Sequence, residues 1–291
     1  MAVNKRYPLD QSHLFKLVTK KKLVELLGFD LKNLKYLIDE KQYHVFLKVS
    51  GGKIREIQTP VGDLKRIHKK IAILLSKIEV PDYVYSTKGR SYISNAKQHL
   101  GIYPLIKTDV SQFYPSITFP FVYRFFHFVC KCSPDVSFIL SQICCYKGKH
   151  LPTGSPISGY VAYFSSKHIF DEIDRLVKNE KCVMTLYVDD ITISGERASK
   201  RLLWSVNEII RHHGLKVKNK KSISFAPACP KPVTGVIITG DKLRIPNKLH
   251  KTIWEERYKL SKTKDQYLRS KLEASNRGKI QVARQIDPSF K

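Results

Sequence analysis

Two adjacent carboxylates, Asp189 and Asp190, separate the β-rich runs VMTLYV (183–188) and ITIS (191–194), and a third, Asp109, falls at the end of the short apolar run LIKTDV (105–110). Two residues between two such runs is the length of a tight hairpin turn, so the pair is expected at the tip of a hairpin. Like charges a few ångströms apart raise each other's pKa unless a cation offsets them. A divalent metal does so, and an all-oxygen donor set suits Mg²⁺, which takes one or two carboxylates together with waters and substrate phosphates. With Asp109 beside the hairpin in one antiparallel sheet, two Mg²⁺ ions about 3.5–4 Å apart fit between them, the arrangement of in-line phosphoryl or nucleotidyl transfer. On spacing alone the alternative is a surface Asp-Asp turn, since Asp tolerates turn geometry.

The elements that must position these carboxylates form a mixed α+β pattern. Residues 13–27 predict a helix stopped by Gly28, and residues 43–58 predict two strands joined at Ser50-Gly51-Gly52. Residues 64–78 predict an amphipathic helix with Leu64, Ile67, Ile71, Leu74, Leu75 and Ile78 inward, and with Lys65, Arg66, His68, Lys69 and Lys70 on the other faces. A long helix is expected over 158–178, with Val161, Phe164, His168, Ile173 and Leu176 on one side, and another over 198–213, ended by Gly214. The last 50 residues carry 14 Lys plus Arg against 5 Asp plus Glu, interleaved with Trp254, Tyr258 and Tyr267, and read as a mostly helical basic tail.

The whole chain has 52 Lys plus Arg against 25 Asp plus Glu over 291 residues, a net charge of +27, in a composition that is 42% hydrophobic. Enough apolar residues are present for a real core, so this is not a disordered basic tail. Charge of this size implies a polyanionic partner, and nucleic acid is preferred over a membrane surface, which usually needs a basic amphipathic helix or a lipidation signal, and MAVNKR is not a myristoylation start. No run approaches the ~18 apolar residues of a membrane helix, and the N-terminus lacks the apolar core of a signal peptide, so a cytoplasmic protein without membrane contact is expected. The six cysteines lack zinc spacing and are expected to be reduced, half-buried thiols.

Flanking residues sharpen the reading. Tyr187-Val-Asp-Asp190 resembles the Y-x-D-D signature of reverse transcriptases, and Asp109-Val-Ser-Gln-Phe-Tyr-Pro-Ser-Ile117 is similar to the segment carrying their other metal-binding aspartate. In the same order, Gly52-Lys-Ile-Arg-Glu-Ile-Gln-Thr-Pro60 resembles the segment that grips the triphosphate. Leu151-Pro-Thr-Gly-Ser-Pro-Ile-Ser158 resembles the L-P-Q-G-x-x-x-S loop under the incoming nucleotide, and Gly214–Ser222 resembles the lysine motif that follows. Asn95-Ala-Lys-Gln-His99 and Val233-Thr-Gly235 match the N-A-x-x-H and V-T-G elements of the retron branch. The resemblance runs from about residue 40 to the C-terminal segment around 278–288.

It implies a right-hand polymerase with fingers over 1–100, a palm with an antiparallel sheet over 101–240 and a short basic helical thumb over 241–291. Asp109, Asp189 and Asp190 are then the catalytic and metal-binding residues, the first two holding two Mg²⁺ ions and Asp190 supporting the site. Lys53, Arg55, Tyr114, Gly154, Ser155 and Lys221 are the nucleotide-binding set. In it Lys53 and Arg55 reach the triphosphate, Tyr114 is the gate against a ribose 2′-hydroxyl, and Lys221 is the proton donor to pyrophosphate. Asn95 and His99 are expected to bind the RNA or brace the palm, and Val233, Thr234 and Gly235 to sit where a strand meets RNA. Thr153 departs from the family, which has Gln in L-P-Q-G. The implied partners are a structured non-coding RNA that is template and primer, its DNA product, deoxynucleotides and a separate effector protein in phage defence. Trimming of the RNA is left to another protein, because no room is expected for an RNase H domain. The other readings are a different bacterial defence or group II intron-like reverse transcriptase and, from another class, a catalytically idle RNA-binding scaffold.

Overall fold

The structure, a computed structural model, describes residues 6–50 and 52–290; Gly51 of the expected turn and the first five residues lie outside them. Among the described residues the strands are β1 (Tyr43–Ser50), β2 (Lys53–Pro60), β3 (Leu105–Asp109), β4 (Val183–Tyr187), β5 (Asp190–Ser194), β6 (Ile223–Phe225), β7 (Lys231–Val233), β8 (Val236–Thr239) and β9 (Lys242–Arg244). They form three antiparallel sheets: β1-β2, β4-β5-β3-β6 and β7-β8-β9. The chain divides into two compact units, each discontinuous in sequence: residues 1–81, 110–173 and 208–217, and residues 82–109, 174–207 and 218–291.

The first unit is helical apart from the β1-β2 hairpin. Its helix Gly62–Ser76 buries Leu64, Ile67, Ile71, Leu74 and Leu75 as the 3.6-residue period predicts, but it also buries His68, which the charge pattern had put outside. Leu23, Leu27, Phe125, Phe126, Leu140, Phe164 and Phe170 belong to its core, with the Phe125 and Phe164 rings stacked at 5.7 Å. The helix expected over 13–27 starts only at Lys20. Thr19 caps it by accepting the Lys22 N–H at 3.3 Å, and Lys16 sits at φ 51, outside helical space. In helix Ser158–Asn179, which contributes residues to both units, His168 is exposed and not on the apolar side, and its ring lies 5.0 Å edge-on to that of His213.

The second unit holds the other two sheets. β3 is central in its sheet and its apolar residues are buried on both faces, so LIKTD reads as a nearly continuous buried run. The β7-β8-β9 sheet packs with helices Tyr92–Lys97, Asn247–Lys262 and Gln266–Ile286 around Ile93, Ala96, Val233, Val236, Ile238, Ile253 and Ala283. The basic C-terminal segment is helical as expected, and it shares one core with V-T-G and N-A-x-x-H. All six thiols are free; five are buried and Cys229 is exposed, so they are more enclosed than the expected half-burial. No described helix is long and apolar enough to cross a membrane.

Candidate active site

The strands that bring the three aspartates together pair through their backbone ladders, and their apolar residues are buried along most of their length. β3 runs antiparallel to β5 with Leu105 opposite Ser194 and Asp109 opposite Asp190, and β4 pairs β5 with Tyr187 opposite Asp190. The two-residue turn is therefore Val188-Asp189 and not the expected Asp189-Asp190. Asp190 is the first residue of β5 and Asp189 stands at the tip. Val188 has φ 61 and Asp189 does not have positive φ, the pattern of a type II′ turn whose first central position glycine normally fills. A β-branched residue in that region is strained by roughly 1–2 kcal/mol, a cost seen where placement matters more than stability.

Lysines surround the carboxylates. Asp109 is 2% exposed; Lys221 Nζ bonds its Oδ2 and Lys218 Nζ lies 3.6 Å from its Oδ1. Lys107 Nζ lies 3.3 Å from Asp190 Oδ2 and donates to the Pro232 carbonyl at 3.2 Å. Burial, then the charge of Asp109, pushes the Asp189 carboxyl up to about 6, against the pull of Lys221. Asp190 is raised by burial and held back by Lys107. Burial draws Lys221 down, but its bond to Asp109 and the carboxylate charges outweigh this and raise it. Among the described residues no three His, Cys, Asp or Glu side chains form a ready-made metal cage. The oxygen-only donors, with the Asp189 carboxylate disfavoured by burial and then by the charge of Asp109, fit a hard cation that arrives with a phosphate-bearing substrate.

Beside the carboxylates opens a cleft of about 220 Å³ lined by Lys107, Asp190, Lys221, Pro232, Thr234 and Gly235. V-T-G is a hairpin: Val233 ends β7, and Thr234 (φ 44) and Gly235 (φ 87) make the two-residue turn into β8. Thr234 Oγ1 donates to the Tyr92 carbonyl at 3.0 Å, and Asn95 Nδ2 lies 3.3 Å from the same hydroxyl, so the two retron-like elements touch. Asn95 is 0% and His99 1% exposed. His99 bonds Ser194 Oγ through Nδ1 and Thr185 Oγ1 through Nε2, each at 2.7 Å, clamping β5 to β4 behind the aspartates. Burial, helped by the charge of Lys107, lowers its pKa to about 3, so it is neutral. Burial thus corrects the expectation of RNA contact for the side chains of Asn95, His99 and Val233, which brace the unit; Thr234 and Gly235 reach the cleft.

The remaining expected residues belong to the first unit. Arg55 is exposed on β2 directly opposite Lys48, and like charges facing across a hairpin repel unless an anion lies between them. Lys53 is on the same strand; its side chain lies outside the described residues. Phe113 is buried as expected, and Tyr114 follows it in the short helix Phe113–Ser116, its ring 5.9 Å away. Gly154 and Ser155 lie in the loop after Leu151, where the Ser155 hydroxyl is taken up internally: it is 2.7 Å from His68 Nδ1 and 3.3 Å from the Ile157 N–H. A nucleotide contact by that hydroxyl is not open in this arrangement. Lys107, Lys218, Lys48 and His68 were missed as site residues. Lys107 was legible, because it shares a strand face with Asp109 at a spacing of two.

Residues 40–268 match the family described as reverse transcriptase (RNA-dependent DNA polymerase). Curated relatives include the retron Ec86 reverse transcriptase of Escherichia coli, 28% identical over 215 residues that cover 72% of this chain and 67% of the relative. The retron Se72 reverse transcriptase of Salmonella heidelberg is 30% identical over 215 residues, covering 69% of this chain and 55% of the relative. Among solved structures, telomerase from Candida albicans with a TWJ fragment of telomeric RNA superposes at a TM-score of 0.50 and 10% identity, over 76% of this chain and 50% of that one. That likeness concerns the fold, a right-hand polymerase.

Proposed function

The chain belongs to the reverse transcriptase family, and from this premise we propose that it is an RNA-directed DNA polymerase of retron type, copying part of a structured non-coding RNA into DNA. The observation that carries the reading is the register of Asp109 opposite Asp190, with Asp189 next to it at the hairpin tip. In this reading Asp109 and Asp189 hold two Mg²⁺ ions and Asp190, tied to Lys107, supports them. The chemistry that bound Mg²⁺ supplies is acidification of the attacking primer hydroxyl and charge relief at the leaving pyrophosphate.

The chain's own residues do the rest by positioning and electrostatics. Lys218 and Lys221 neutralise Asp109, and Lys221, a charged ammonium beside the carboxylates, is suited to give a proton to a pyrophosphate oxygen. Arg55, with Lys53 on its strand and Lys48 opposite, offers a triphosphate the anion site that the facing cations call for. The Tyr114 ring is the gate against a 2′-hydroxyl, and Gly154 and Ser155 form the loop under the nucleotide. Thr234 and Gly235 face nucleic acid from the cleft. Fingers over 1–100, palm over 101–240 and thumb over 241–291 are the proposed domains, in a cytoplasmic enzyme that works with its RNA and an effector protein in phage defence.

The test is to purify the protein with whatever nucleic acid it carries and treat it separately with RNase and DNase. A product containing both RNA and DNA, extended by deoxynucleotides in Mg²⁺, is expected. An RNA-only particle that is inert with Mg²⁺ and deoxynucleotides would favour the scaffold reading.

A further inference from the structure

In the loop Leu151–Ser158 the position that is glutamine in L-P-Q-G is Thr153, yet an amide stands at this place, supplied from another element. Gln58 on β2 is 4% exposed. Its side-chain oxygen accepts the Thr153 N–H at 2.9 Å, its backbone carbonyl accepts the Gly154 N–H at 3.1 Å, and its Nε2 donates to the Glu56 carboxylate at 2.8 Å. The Thr153 hydroxyl donates to the Glu56 carbonyl at 2.6 Å and lies 3.0 Å from Gln58 Oε1. A Cβ at Gly154 would come within 2.6 Å of Thr59 Oγ1 and 2.9 Å of the Gln58 carbonyl, so the loop backbone lies flush on the strand. His68 fixes the next residue. Its Nε2 faces the Ile143 carbonyl at 2.8 Å and must carry the proton, which leaves Nδ1 to accept from Ser155 Oγ.

We infer that Gln58 is a positioning residue for the nucleotide-binding loop and that Thr153 anchors that loop to β2 instead of touching the nucleotide. The inference rests on the reading of Leu151–Ser158 as the loop under the incoming nucleotide. Two consecutive loop N–H groups end on one residue of β2, and the hydroxyl that replaces the family's amide points its proton at the same strand. Arg55 lies three residues upstream on that strand, so the triphosphate grip and the floor beneath the base are one piece. A glutamine restored at 153 would meet the space and the acceptors that Gln58 and Glu56 already occupy. It would therefore disturb the loop unless position 58 were shortened at the same time.

The test uses the full chain with Thr153→Val, Gln58→Met, Thr153→Gln and the double variant Thr153→Gln with Gln58→Thr, each checked for an unchanged melting transition. Hydrogen exchange of the peptide spanning 151–158 needs no activity. It is expected to speed up roughly three- to tenfold in Thr153→Val and Gln58→Met, the size of one lost hydrogen bond. Steady-state synthesis should show KM for deoxynucleotides rising by a similar factor with kcat nearly constant, Thr153→Gln at least as impaired as Thr153→Val, and recovery in the double variant. Thr153 is only partly buried, so Thr153→Val tests the anchor should Gln58→Met fail to fold. Unchanged exchange in the folded variants overturns the anchor. Faster exchange with unchanged KM overturns the positioning role, and a lower KM in Thr153→Gln shows that position 153 meets the nucleotide and overturns the inference. Faster exchange in a protein that never incorporates deoxynucleotides defeats the polymerase reading and the positioning role with it, while supporting the anchor.

Discussion

Asp109 and Asp190 are direct partners across β3 and β5, and each carboxylate is bonded by a different lysine, Lys221 on the first and Lys107 on the second. With Lys218 near Asp109 as well, three ammonium groups stand among three carboxylates, and the cluster is close to neutral as it stands. The carboxylates are thereby kept near one another despite their burial, without mutual repulsion opening the sheet.

Asp109→Asn and Asp189→Asn should each lower deoxynucleotide incorporation on the order of a thousandfold or more, as loss of a residue acting in a catalytic unit does. Affinity for RNA, measured by filter binding, should not change. Retained synthesis by Asp189→Asn would sink the assignment.

Lys107→Met should leave Asp190 without its cation and the Pro232 carbonyl without its donor, costing about 1–3 kcal/mol. The expected result is a lower melting temperature together with slower synthesis. A variant that melts like the parent would show that this pair does not hold the strand.

Acid should destabilise the fold through two histidines. His99 and His68 have native pKa values lowered to about 3 and about 4 from 6.5, in both cases chiefly by burial. The unfolded chain therefore binds protons that the native state refuses. Stability is fully present above about pH 6.5 and is lost as pH falls from there towards 4 and 3. Between pH 7.5 and 5 each site contributes a loss of at most about 2 kcal/mol. Urea midpoints at the two pH values check this, and His99→Gln should flatten the dependence.

Tyr114→Ala should admit ribonucleotides, read as incorporation from mixed nucleotide pools, with deoxynucleotide incorporation largely kept. Discrimination equal to that of the parent would remove Tyr114 as the gate.

Much of the site was legible because its signals are local. The lengths of the runs on either side of 189 and 190, and the apolar run ending at Asp109, suffice to bring three carboxylates to one sheet. The one-residue shift of the turn was not legible, because Val at positive φ runs against its own backbone preference and only the β4-β5 register imposes it. His68 was misread as a surface residue among cations, although its spacing of four from Leu64 and three from Ile71 puts it on the apolar stripe. The helix start was misplaced for the opposite reason: the apolar period extends upstream of Thr19, the N-cap at which the helix begins. What Asn95 and His99 do depends on partners 86 to 139 residues away, and no local pattern encodes such a distance.

Val188 has a last consequence. A search for heat-resistant variants guided by melting temperature alone would favour glycine there, since relief of the bent tip is an easy gain. The resulting chain would be hardier, and its tip aspartate freer to swivel, so resilience and aim oppose each other at this one position.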